Sequence, residues 1–128
     1  MNQADIDKIF KRPGEKRYDY FIKAVVESEE IYSLYDDEGW ALLGDQEDAD
    51  ILPLFPSEAF AEAFRAAADF EEFRVEVLDI HELMEWLDEM EEDNMLVAVF
   101  PNPEFNGAVV KPQQLKADIQ KEFDKEVE

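Results

Sequence analysis

Residues 31–55 read IYSLYDDEGWALLGDQEDADILPLF, and this stretch decides the fold class. Ile31 to Tyr35 alternates bulky apolar with smaller or more polar side chains. That period of two is the strand signal, and Ile and Tyr suit a pleated surface. Asp36-Asp37-Glu38-Gly39 is turn chemistry, because Gly supplies the positive φ that a tight reversal needs. Trp40 to Leu43 reads as the return strand, closed by Gly44. Gln46 to Asp50 is polar and acidic and reads as a loop. Ile51 to Phe55 reads as a third strand. Pro53 cannot donate a ladder hydrogen bond, which predicts an edge strand or a strand end.

Upstream, Pro13 and Gly14 interrupt the chain. Residues 1–13 read as frayed, with one helical turn at Ile6–Phe10. From Glu15 to Ser28 the spacing becomes helical: Tyr18, Phe21, Ile22, Val25 and Val26 form one apolar stripe. Downstream, Ser57 is placed to cap a second helix with its hydroxyl, and Phe60 and Phe64 form that helix's buried stripe. Phe73 to Leu78 reads as a strand with Phe73, Val75 and Val77 on one face. Arg74 and Glu76 then lie on a partly wet face. Asp79-Ile80-His81-Glu82 resembles a capping box. It opens a helix with a core stripe of Ile80, Leu83, Met84, Leu87 and Met90. Met95 to Phe100 holds no polar residue and reads as a buried central strand. Asn106-Gly107 is a turn signal before a strand at Ala108–Val110. Pro112 suits the first position of a last helix, with Leu115, Ile119 and Phe123 inward. The expectation is one α+β domain: a mostly antiparallel or mixed sheet of about six strands, packed with about four helices.

The 128 residues are 46% hydrophobic, enough to bury a core despite a formal net charge of -22. There is no Cys, so neither disulfides nor thiolate chemistry enter. The first residues lack the apolar core of a signal peptide, and no run is long enough to span a bilayer. A cytoplasmic protein is the plain reading. The charge is unevenly spread. Residues 24–110 carry 25 Asp and Glu against only Arg65 and Arg74, whereas Lys8, Lys11, Arg12, Lys16, Arg17 and Lys23 crowd the start. A body so negative repels nucleic acid and anionic lipid.

The segments RYDYFIKAVVESEEIYSLYDDEGWALLG, ILPLFPSEAFAEAF, MLVAVFPNP and VVKPQQL resemble a small bacterial family known as domain of unknown function 2750. The resemblance runs from about Arg17 to about Ile119 and is most specific in DDEGWAL and LPLFPS. It implies a single cytoplasmic domain and carries no activity. LPLFPSEAFAEAF followed by VEVLDIHELMEWL is also similar, in element order, to the serine-sensitivity-enhancing (SseB-like) family. Neither resemblance supplies catalytic residues.

Catalytic chemistry is poorly provided for. Thr is absent, and Ser28, Ser33 and Ser57 lie in no nucleophile elbow. The single His81 reads as exposed, and with no second His a zinc site is not expected. Four scattered Gly make no phosphate loop. Asp45 to Asp50 invites calcium, yet Asp50 stands where the EF-hand needs Gly and Pro56 where it needs Glu. No cofactor or metal is called for.

The helix that begins at Asp79 is acidic throughout its outer face. Glu82, Glu85, Glu89 and Glu92 are spaced by three or four residues, so they share that face. Acids near its C-terminal end oppose the helix dipole at a cost of about 0.3–1 kcal/mol each. Trp86 flanks the row, and Trp40 follows the first turn. An aromatic ringed by acids suits a basic protein surface. The sequence therefore leads to a non-enzymatic interaction or regulatory module, immunity-like in kind, that binds a basic protein through Trp40, Glu82, Glu85, Trp86, Glu89 and Glu92. Solubility alone also accounts for such acidity. Two rivals stand: a DNA mimic that occupies a nucleic-acid-binding protein, and a small-molecule-binding or carboxylate-based enzymatic domain. Direct nucleic-acid or membrane binding is not expected, and a homodimer is compatible with the sequence.

Overall fold

The computed structural model describes residues 2–44 and 50–126. Helix α1 (Gln3–Phe10) and α2 (Gly14–Ser28) lead into strand β1 (Glu30–Asp36). Then come β2 (Gly39–Trp40), β3 (Leu43–Gly44), β4 (Asp50–Leu54), α3 (Glu58–Ala67), β5 (Arg74–Asp79) and α4 (Ile80–Glu92). Strands β6 (Leu96–Val99) and β7 (Ala108–Val110) precede α5 (Pro112–Glu126). The expected α+β domain is observed, with two sheets ordered β2-β1-β5 and β3-β4-β6-β7. All pairs are antiparallel except β4 with β6, joined by the α3–β5–α4 crossover.

The decisive stretch folds partly as read. The Asp36 carboxylate accepts from the Glu38 amide at 2.9 Å, and Gly39 adopts φ 128, so the turn is built by the residues expected to build it. The return strand is different. Trp40 pairs with Tyr35 in one sheet, whereas Leu43 pairs with Ile51 in the other. Between them Ala41 is buried and Leu42 is 44% exposed. A single strand would set Trp40 and Leu42 to equivalent tasks on one face; here the chain changes sheets between them. The sheets meet where Tyr32 and Phe55 exchange both backbone hydrogen bonds, at 3.0 and 2.8 Å.

Pro53 lies within a strand paired on both sides, not at an edge. The Leu54 carbonyl accepts from the Phe100 amide, so by alternation Pro53 faces away from β6. There it falls between the end of β3 and the Tyr32–Phe55 bridge, where no ladder amide is needed. The buried Ser33 hydroxyl donates to its carbonyl at 2.6 Å.

The N-terminal segment is more ordered than its composition indicates. Asn2 caps α1 by accepting from the Asp5 amide at 2.9 Å, and Ile6, Ile9 and Phe10 are buried. The Phe10 ring meets Phe60 and Phe100 edge-on. An isolated helix this short is marginal in water, so tertiary burial holds it. Ser57 occupies the N-cap position of α3, but its hydroxyl caps no amide, contrary to expectation. Asp79 does cap α4, accepting from the His81 amide at 2.8 Å.

Strand β6 is the central strand expected: Val97 and Val99 are fully buried and Ala98 nearly so. Register fixes the two faces of the joined sheets. Ile31, Leu52, Leu54, Val97 and Val99 look toward α2, α4 and α5. Leu34, Phe55, Ala98 and Val109 look the other way, where α3 and α1 pack.

Candidate functional site

Helix α4 buries Ile80, Leu83, Leu87 and Met90. The opposite face then presents Glu82, Glu85, Glu89 and Glu92, all exposed. None of the four forms an ion pair among the described residues. The last turn of α4 contains no base to complement its dipole. Asp88, on the flank toward α5, behaves differently. It accepts from Lys116 Nζ at 2.8 Å and Gln113 Nε2 at 2.7 Å. The Lys116 and Gln113 bonds hold its carboxyl below the usual carboxylate range.

Trp86 borders the free row, four residues after Glu82 and three before Glu89. It is half-buried, and its ring centroid lies 5.5 Å from that of Trp40. Trp40 in turn meets Tyr35 at 5.2 Å, nearly edge-on. The fold thus joins the two tryptophans that the sequence separates by 46 positions. It does so because β2 sits at the sheet edge beside β1 while α4 packs on the same face. Asp37 and Glu38, both exposed, add carboxylates at the hairpin end. Arg74 approaches Asp37 at 3.5 Å and lies over the Tyr35 ring at 5.9 Å. All six residues singled out from sequence are therefore placed: the tryptophans touch, and the four glutamates line the adjoining helix face.

Residues 18–119 match the family described as "Protein of unknown function (DUF2750)". The chain belongs to the DUF2750 family. No curated protein matches it. The DUF2750 segment contains Trp40, Trp86 and all of α4, while α1 and Arg17 precede it.

Arg17 is the residue that sequence reading missed. It is 2% exposed, and carbonyl oxygens surround its guanidinium. Nε donates to Phe100 O at 3.0 Å, Nη1 to Phe10 O at 3.1 Å and to Arg12 O, and Nη2 to Asn106 O at 2.7 Å. Burial lowers its pKa, partly offset by Glu104. The cage fastens α1, α2 and the 101–107 loop to the end of β6. Phe100 adopts φ 54 there, a left-handed conformation costing a non-Gly residue roughly 1–2 kcal/mol. Only the coincidence of Arg17 with the buried stripe of α2, one turn before Phe21, signals this role. Beside the cage lies an open cleft of about 810 Å³ between α2 and α5, with Glu15, Asp19 and Asp118 along it as well as Arg12 and Arg17. Tyr18 donates to Asp118 across it; burial first, then that bond, push the phenol's pKa up.

The described residues of this DUF2750 chain hold no group of three or more His, Cys, Asp or Glu suited to a metal ion. His81 is exposed, with Nε2 3.1 Å from Glu29 and its ring over Phe123. Ser28 bonds the Glu30 backbone and Ser33 the Pro53 carbonyl, so neither meets a base. No helix among the described residues is long and apolar enough to cross a membrane. Most of the acidic stretch considered for calcium, residues 45–49, lies outside the described residues.

Proposed function

We propose that the chain is a non-enzymatic interaction module that binds a basic protein surface through α4 and the Trp40–Trp86 pair. The observation that carries this is the pairing pattern of α4. Asp88 is tied to α5, whereas Glu82, Glu85, Glu89 and Glu92 contact no cation among the described residues and stand beside two half-buried tryptophans. Like charges one turn apart repel by a few tenths of a kcal/mol per pair, so the row does not serve the helix. A partner's Lys and Arg side chains would neutralise it, and the tryptophans would give an apolar centre for a flanking side chain to cover. Electrostatic steering makes such association fast and strongly salt-dependent. An immunity-like or regulatory inhibitor works in this way.

The geometry favours a protein partner over DNA mimicry. Glu82 to Glu92 spans about 15 Å of helix at 1.5 Å per residue. Four charges over that length make one short row, whereas duplex DNA presents two strands that together carry roughly one charge per 1.7 Å.

The test is Glu85→Lys with Glu89→Lys, checked for folding by circular dichroism, in affinity capture from the native cell extract at low and high salt. A partner held at low salt, released at high salt and lost from the folded variant supports the reading. Retention of every partner at wild-type strength removes α4 from function and leaves its acidity to solubility.

A further inference from the structure

The bases that crowd the start of the chain play no part in the α4 face. Arg12, Lys16 and Lys23 meet at one open cleft of about 530 Å³ along α2, together with Asp19 and Tyr20. Helical spacing explains the grouping. Lys16, Asp19, Tyr20 and Lys23 fall at i, i+3, i+4 and i+7 of α2, and Arg12 stands just before Pro13, its N-cap. All three cations are exposed, and none forms an ion pair among the described residues. Tyr20 is half-buried, with its ring against Phe60 and Phe100 at 6.0 and 5.9 Å. The core thus fixes one aromatic wall beside three flexible cations.

The sign of its lining sets this cleft apart from its neighbours. The cleft beside the Arg17 cage places three carboxylates against two cations. The cleft between α2 and the far end of α5 places three against three, and the small cleft at Lys11 two against two. The apolar groove at Leu42 is lined by no charged residue. Arg12 and Lys23 are shared with these neighbours, whereas Lys16 lines this cleft alone. Here three cations face one carboxylate, in a chain whose formal net charge is -22. That positive excess suits a phosphomonoester, which carries about -1.5 to -2 at neutral pH. Lys16 and Lys23 supply point charges on flexible stems, and the Arg12 fork can donate two parallel bonds to phosphate oxygens. The cleft is of small-molecule size, so it holds an organic group beside Tyr20 as well as a phosphate. A small ligand fits the electrostatics better than a polymer. Exposed charges more than about 8 Å apart are largely screened at physiological ionic strength, so an anion inside the cleft senses mainly the lining. A nucleic acid or an anionic membrane would extend over the acidic body and be repelled.

We infer that this cleft binds a small phosphomonoester, with Arg12, Lys16 and Lys23 on the phosphate and the organic group along Tyr20. The site is separate from the α4 face and does not depend on it. The test is calorimetric titration of the full chain with ribose 5-phosphate, glycerol 3-phosphate and adenosine monophosphate. Ribose, glycerol, adenosine and inorganic phosphate are the controls. At least one ester is expected to bind, and its unphosphorylated counterpart is not. Lys16→Gln with Lys23→Gln alters exposed residues and leaves the melting midpoint unchanged. It is expected to weaken the ester by about tenfold or more, because charge-assisted bonds to the phosphate are lost. Asp19→Asn removes the one carboxylate and is expected to tighten binding by about two- to fivefold. Failure of all three esters to bind at millimolar concentration overturns the site. Inorganic phosphate bound as tightly as the best ester shows an adventitious ion only and overturns it too. Binding kept by the Lys16 and Lys23 variant but lost from Lys121→Gln with Lys125→Gln moves the ligand to the α2–α5 cleft and overturns this assignment. Vesicles containing phosphatidic acid that carry the chain down in sedimentation, when no soluble ester binds, overturn the small-ligand reading in favour of a membrane.

Discussion

Arg17 and the glutamate row of α4 handle charge in opposite ways. The Arg17 guanidinium is buried, and four carbonyls accept from it. The α4 glutamates are exposed, with no cation against them among the described residues. The first charge belongs to the fold: it ties two helices and a loop to the central strand. The second has no such tie among the described residues. In a molecule with so many carboxylates, this contrast separates charges that hold the fold from those open to a partner. Charge that the fold uses is recognised by its partners, and charge without partners is available to another molecule. Asp88 sharpens the point, because it sits on the same helix and is engaged.

The largest effect is expected from burying a charge with no cage. Val97→Asp puts a carboxylate in the central strand between β4 and β7, where no donor waits. It should cost upward of 4 kcal/mol and unfold the domain, since an unpaired buried charge is among the most destabilising changes. A near-normal urea midpoint would mean that β6 is not central. Arg17→Met keeps the bulk and removes the donors. The carbonyls of Phe10, Arg12, Phe100 and Asn106 then lose a partner, at about 1–3 kcal/mol for each that stays buried and unsatisfied. A loss of about 2–4 kcal/mol in chemical denaturation is expected, and an unchanged midpoint would dissolve the distinction between the two regions.

Glu85→Lys with Glu89→Lys should act oppositely. It removes like-charge repulsion and should leave stability unchanged or raise it by a few tenths of a kcal/mol. A clear loss of stability would show that the row serves the fold after all. The smallest effect belongs to Asp88→Asn. The folded-state pKa of Asp88 is lowered, so its contribution is present above the unfolded value of about 3.9 and fades as pH falls through the folded one. The melting difference between wild type and Asp88→Asn should therefore be small at neutral pH and shrink in acid. A difference that grows on acidification would contradict the Lys116 pairing.

Local pattern was enough to read the α+β class, the central strand at Met95–Phe100, the turn at Asp36–Gly39 and the acidic outer face of α4. These follow from periods of two and 3.6 and from the φ preference of Gly, which each segment carries within itself. Glu82, Glu85, Glu89 and Glu92 were legible as one face for the same reason. Other features depended on which elements pack together, and local pattern is silent on that. The Trp40–Trp86 contact required β2 and α4 to share a face of the sheet. Residues 40–43, read as one strand, became parts of two sheets because Trp40 found Tyr35 and Leu43 found Ile51. Pro53, read as an edge residue, sits inside a sheet because its missing amide falls in a gap between neighbours. Helix α1 forms because Phe60 and Phe100 receive Phe10, and Arg17, a charge on an amphipathic helix, is buried because four carbonyls from distant segments converge on it. The exposure of Leu42, Phe105 and Val109 likewise follows from packing. Strands apolar on both sides announce burial, but only packing decides which side is left uncovered.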